Sequence, residues 1–229
     1  MKPAILCLHG RGTSAMIFEI QAMAVVQQLE DDFDFIFVDA PNESEPGPNV
    51  LPIFEDEGPY YSWANRPGSA DYLRNGTGLD ATVALLDKVE TTYPNLVGVL
   101  AFSQGVTIGL GLLLRQQRRR QMGLPSVGYR FGAFVGGVDI PTLQEGDEVD
   151  SGATTPTNKL EGSAATDILK IPTLLGTGST DTMSRSSVGF QQWASSQKAI
   201  ERFDFHGGHE MPRDRRDWSH LVDFILQFQ

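Results

Sequence analysis

The feature that most constrains the fold is a rhythm in which short apolar runs, rich in β-branched and aromatic residues, alternate with stretches of helical periodicity. The runs fall at residues 4–8, 33–38, 96–102, 131–138, 171–175 and 199–205. Helical patterns occupy 17–29, 79–90, 105–122, 188–195 and 218–228. Parallel strands need long crossovers rather than tight turns, and a helix on each face hides the sheet from water. The alternation therefore predicts an α/β chain with a doubly wound, mostly parallel sheet of about six strands and helices on both faces.

A chain of 229 residues is long enough to bury one substantial core, and no repeat or linker divides it, so one domain over 1–229 is expected. Two stretches interrupt the rhythm, each after a strand. Segment 41–78 is rich in proline and aromatics, and 139–167 is acidic and rich in Gly, Ser and Thr. Loops this long in a compact domain are usually lids or binding loops, and in a doubly wound sheet ligands sit at strand carboxyl ends. The first is expected to line a cleft, and the second to be a variable loop.

Composition removes several functional classes. A net charge of −11 repels phosphate backbones and anionic lipid, which argues against nucleic-acid and membrane partners. Apolar runs are too short to span a bilayer, so a cytoplasmic location is expected. The lone Cys7 lies inside the first apolar run and reads as a core thiol.

The chemistry begins at Val97-Gly98-Val99-Leu100-Ala101-Phe102-Ser103-Gln104-Gly105, an apolar strand entering Ser-x-Gly and then an apolar helix. A nucleophile elbow needs small residues two before and two after the serine, because the turn brings backbones close. Ala101 and Gly105 supply them, although Ala departs from the strict glycine pattern, and an ordinary helix-capping serine would look similar. What favours the elbow is order. A carboxylate, Asp181, follows the fifth run in Gly176-Thr177-Gly178-Ser179-Thr180-Asp181, and a histidine follows the sixth in His206-Gly207-Gly208-His209. Ser, then Asp, then His is the chain order of the α/β-hydrolase fold.

His209, beyond two glycines, has the reach a base requires; His206, at the strand end, competes with it. Asp139 also follows a strand and rivals Asp181 as the acid. The first strand runs into His9-Gly10-Arg11-Gly12, a loop that in this fold supplies one oxyanion N–H, the other coming from the residue after the nucleophile. The backbone amides of Arg11 and Gln104 are nominated. His9 has no second ligand at helical or turn spacing, and the glycines are too few for a phosphate loop, so no metal and no cofactor are inferred. Tyr60, Tyr61 and Trp63 are candidates to wall an acyl pocket. A cluster at Arg115, Arg118, Arg119 and Arg120 reads as a helix end offsetting the macrodipole, or else as a docking patch for an acidic partner.

Five motifs together, Leu6-Cys7-Leu8-His9-Gly10, Val38-Asp39-Ala40-Pro41, Gly58-Pro59-Tyr60-Tyr61-Ser62-Trp63, Phe102-Ser103-Gln104-Gly105 and His206-Gly207-Gly208-His209-Glu210-Met211-Pro212, resemble the fungal family of small serine hydrolases. The likeness runs nearly end to end, apart from 139–167. It is strongest to the branch of free-standing thioesterases that act beside polyketide synthases, marked by Gly47-Pro48-Asn49-Val50-Leu51-Pro52 ahead of the Tyr-Tyr-Ser-Trp block. The resemblance implies that Ser103, Asp181 and His209 fill the triad positions. It also implies release of an acyl chain from an acyl-carrier domain of a polyketide synthase. A carboxylesterase or lactonase acting on small free esters, and a non-catalytic binding protein on a hydrolase scaffold, remain as alternatives.

Overall fold

The computed structural model describes residues 1–65, 77–140 and 168–229. Six parallel strands form the central sheet in the order β2-β1-β5-β6-β7-β8: β1 Ala4–Leu8, β2 Asp34–Val38, β5 Leu96–Phe102, β6 Phe131–Val135, β7 Thr173–Gly178 and β8 Ile200–Phe205. The helices among the described residues are α1 Ala15–Leu29, α2 Leu79–Thr92, α3 Gln104–Gln121, α4 Thr182–Ser186, α5 Val188–Ser196 and α6 Arg215–Leu226. None is long and apolar enough to cross a membrane.

Strand alternation divides the core in two. Ile5, Cys7, Leu100 and Phe102 face one way, against Phe18, Val25 and Leu29 of α1 and Leu221, Phe224 and Ile225 of α6. Leu6, Leu8, Val99 and Ala101 face the other, against Leu86 of α2, Val106 and Leu113 of α3, and Phe190 and Trp193 of α5. Both faces of the sheet are covered, as two-sided apolar strands require. Phe131 is enclosed by the rings of Phe33, Phe224 and Phe228, so truncating it to Ala would cost about 3–5 kcal/mol.

The strand limits differ from the sequence expectation for local reasons. β7 begins at Thr173, not 171, because Pro172 has no N–H to give the ladder. β6 stops at Val135, short of 138, because Gly136 takes φ 69° and turns the chain out of the sheet. A small antiparallel pair, β3 Asn42–Ser44 and β4 Tyr60–Ser62, forms inside 41–78 and is joined to the main body by a bridge between Thr13 and Tyr61. Three-residue strands carry no readable period. Residues 66–76 of the first expected insertion and 141–167 of the second lie outside the described residues.

The arginine cluster divides. Arg115 is buried and paired with Asp87 and Glu90 of α2, at 2.7 and 3.1 Å. Arg119 Nε and Arg120 Nη2 donate to the carbonyls of Pro125 and Val127, tying down the chain after α3. That end of α3 is about 27 Å from its N-terminus, given a rise of about 1.5 Å per residue. The helix-end reading describes these residues, and Arg115 is removed from any docking patch.

The chain moves outward from β1 to β2, then returns across the sheet to β5. The connections leaving β1 and β5 thus diverge, opening a crevice at their carboxyl ends. Ser103 lies at the end of β5, and the loop carrying Arg11 at the end of β1.

Candidate active site

Ser103 sits between β5 and α3 with φ 54° and ψ −119°, a region that costs a non-glycine residue strain and that a sharp strand-to-helix turn imposes. Packing enforces the turn. A Cβ on Gly105 would lie 2.2 Å from the Leu8 carbonyl oxygen, and Ala101 is fully buried. The Ser103 amide donates to Val135 O (3.0 Å), and the neighbouring strand thereby holds the elbow in place.

The serine hydroxyl meets His209 Nε2 at 2.7 Å, and His209 Nδ1 meets Asp181 Oδ2 at 2.9 Å. With a carboxylate facing Nδ1, the proton resides there, leaving Nε2 to accept from the serine. The His209 ring lies beside Phe102, centroids 5.0 Å apart, and against Gly136, where a Cβ would stand 3.1 Å from Cε1.

Asp181 is held from below. It caps α4, with Oδ1 accepting from Ser184 N (3.0 Å) and Oδ2 from Ser184 Oγ (2.8 Å). Burial by itself would raise this carboxyl's pKa; the bonds from Ser184 and His209 outweigh it and hold the group below its ordinary value. The loops after β7 and β8 are laced together. Ser179 N donates to Phe205 O, and Thr180 donates through both N and Oγ1 to Gly207 O. Close backbone contact at Gly178, where a Cβ would fall 2.2 Å from Gly208 O, completes the join.

The two rivals stand elsewhere. His206 is exposed, and its amide donates to Asp217 Oδ2 (3.1 Å). Asp139 is exposed beyond β6, its carbonyl accepting from Thr107. Among the described residues neither side chain joins the chain of hydrogen bonds through His209.

The amides of Arg11 and Gln104 donate to no protein acceptor among the described residues, which leaves both available to a ligand. Their surroundings are fixed. Gly12 N donates to Tyr61 O, Tyr61 N to Thr13 O, and Gly47 N to Gly12 O. His9 is fully buried, its Nε2 accepting from Ala40 N (2.9 Å) and its Nδ1 donating to Gly10 O (2.7 Å). Burial pushes its pKa down to about 4, against the upward pulls of the Gly10 carbonyl and the Asp39 carboxylate. His9 is a structural tie.

Trp63 requires a correction. Expected in the pocket wall, it is wholly buried because its polar groups all have interior partners: Nε1 donates to His9 O (2.8 Å), N donates to Gln104 Oε1 (2.9 Å), and O accepts from Thr82 Oγ1 (2.5 Å). It ties the Arg11 loop to the residue after the elbow. Tyr60 and Tyr61 are half-buried, and the Tyr60 hydroxyl donates to the carbonyls of Phe54 and Glu55. Sequence reasoning passed over Ser184, although Asp181-Thr182-Met183-Ser184 has the spacing of a capped helix start. It also passed over the Gln104 side chain, whose amide grips Trp63 and Ala64 at once.

A doubly wound sheet with a strained serine hydrogen-bonded to a histidine that is itself bonded to a buried carboxylate defines the class of α/β hydrolases. The family model "Serine hydrolase (FSH1)" matches residues 1–220, and the chain belongs to that family, a serine hydrolase of the esterase and thioesterase class. It is 32% identical to thioesterase FSL2 of Gibberella zeae over 98% of this chain and 91% of that protein. It is 30% identical to the dihydromonacolin L-[lovastatin nonaketide synthase] thioesterase of Aspergillus terreus, over 96% and 90%. Among solved structures, Zea mays acyl-protein thioesterase 2 shares the fold, with TM-score 0.58 and 20% identity over 99% of this chain and 94% of that one.

Proposed function

We propose that Ser103, His209 and Asp181 are the nucleophile, base and acid of acyl transfer to water, and that the natural substrate is a polyketide acyl chain thioester-linked to a carrier domain. The observation that carries the first part is the unbroken relay from Ser103 Oγ through His209 to Asp181, at 2.7 and 2.9 Å. His209 Nε2 takes the serine proton as Oγ attacks the carbonyl carbon, and Asp181 stabilises the imidazolium that forms. The developing oxyanion is received by the amides of Arg11 and Gln104; loss of one such donor typically costs about 100- to 1,000-fold. The imidazolium then protonates the leaving thiol. Water, deprotonated at the same Nε2, attacks the acyl-serine and releases the acid. The half-buried rings of Tyr60 and Tyr61, beside the Arg11 loop, are the aromatic surface for the acyl chain.

The carrier assignment is supported by similarity, across nearly the whole chain, to a thioesterase named for its nonaketide synthase and to thioesterase FSL2. The test compares one acyl group presented on a carrier protein, as a short soluble thioester and as a small oxygen ester. The carrier-bound form is expected to give the highest kcat/KM, and Ser103→Ala to abolish turnover of all three. Equal or better turnover of the free oxygen ester would assign a general carboxylesterase.

A further inference from the structure

We propose that Ser184 is a positioning residue for the base, its hydroxyl sharing the carboxylate oxygen on which His209 rests and thereby weakening that oxygen's hold on the imidazolium. The inference depends on His209 and Asp181 acting as base and acid. Ser184 is completely buried, and its Oγ, 2.8 Å from Asp181 Oδ2, has no other partner among the described residues. With water excluded, the hydroxyl hydrogen is committed to that oxygen. His209 Nδ1 donates to the same atom at 2.9 Å.

Capping α4 does not require this hydroxyl. The Ser184 amide already holds Asp181 Oδ1 at 3.0 Å, and any residue at 184 other than proline would supply that N–H. What serine adds is a second donor on the oxygen facing the base. Two donors on one oxygen divide its charge, so each bond is weaker than it would be alone. Less charge is left on that oxygen to stabilise the imidazolium formed when His209 takes the serine proton.

Other charges near the pair are engaged elsewhere or exposed to solvent. Glu210, next to His209, is paired with Arg213 at 2.5 Å and accepts from Gly208 N. Arg185, on α4, donates to Gly178 O and Asp204. Asp217 of α6 accepts from His206 N, and Asp139 is exposed beyond β6. The first ten residues of α3, from Gln104 to Leu113, bring no charge. The hydroxyl of Ser184 is the neutral group placed to tune the dyad.

The test is the pH dependence of kcat/KM on a soluble thioester for wild type and Ser184→Ala, with the low-field proton resonance of His209 Nδ1–H recorded in the resting enzymes. Removing the donor is expected to move the midpoint of the rising limb up by about half a pH unit and the resonance downfield. Ser184→Cys, similar in volume but a weaker donor, should fall between the two, and it carries the comparison if the alanine variant does not fold. A merely structural role would lower the plateau without moving the midpoint, so coincident midpoints and an unmoved resonance overturn the proposal. A wild-type limb that survives His209→Ala would instead overturn the assignment of the base, and this inference with it.

Discussion

At the scale of single residues, the loops around Ser103 are held by groups whose protonation state the fold fixes, His9 by burial and Asp181 by its hydrogen bonds. His9 keeps Ala40 N–H on Nε2 only while that nitrogen is bare, and its pKa is depressed to about 4 from 6.5. The unfolded chain therefore binds a proton that the folded chain refuses between those values. The contribution is fully present above about pH 6.5 and is lost as pH falls toward 4, amounting to at most about 3 kcal/mol at about 1.4 kcal/mol per unit. Asp181, with its lowered pKa, adds acid sensitivity of the same sign below the ordinary carboxylate range. Urea midpoints measured from pH 7 to 4 should fall steeply for wild type and more gently for His9→Asn, which starts less stable. Parallel slopes would show that His9 does not carry the linkage.

At the scale of elements, the proposed triad is a property of three strand ends, those of β5, β7 and β8, on one edge of a single parallel sheet. Adjacent β7 and β8 deliver Asp181 and His209, and their loops are joined by backbone hydrogen bonds and the close approach at Gly178. A methyl there meets backbone oxygens of Gly207 and Gly208, which cannot rotate away. Gly178→Ala should displace the histidine loop and reduce kcat roughly tenfold or more, since misplacement of about 1 Å costs on the order of 100-fold. Far-UV circular dichroism would establish that the sheet persists, and wild-type kcat in a folded Gly178→Ala protein would show that the contact does not position the base.

At the scale of the whole molecule, the sheet and its helical layers were legible because each strand of the central sheet is long enough to display its apolar character and each helix its 3.6-residue period, except α4, whose five residues are too few to show one. The relay was legible because Ser103, Asp181 and His209 each follow a strand in the fold's chain order. The β3–β4 pair was not, since three residues show no alternation. Trp63 was misplaced because an aromatic in a long loop looks the same in sequence whether it faces substrate or, as here, the carbonyl of His9. Ser184 escaped notice because its partner oxygen is identified only in three dimensions.

The most direct measurement is of the covalent intermediate. An activated acyl ester mixed with enzyme and quenched in acid before turnover should add one acyl mass, and peptide mapping should place it on Ser103. Ser103→Ala should carry none, and His209→Ala should acylate far more slowly. An adduct on another side chain, or hydrolysis by Ser103→Ala at the wild-type rate, would contradict the account.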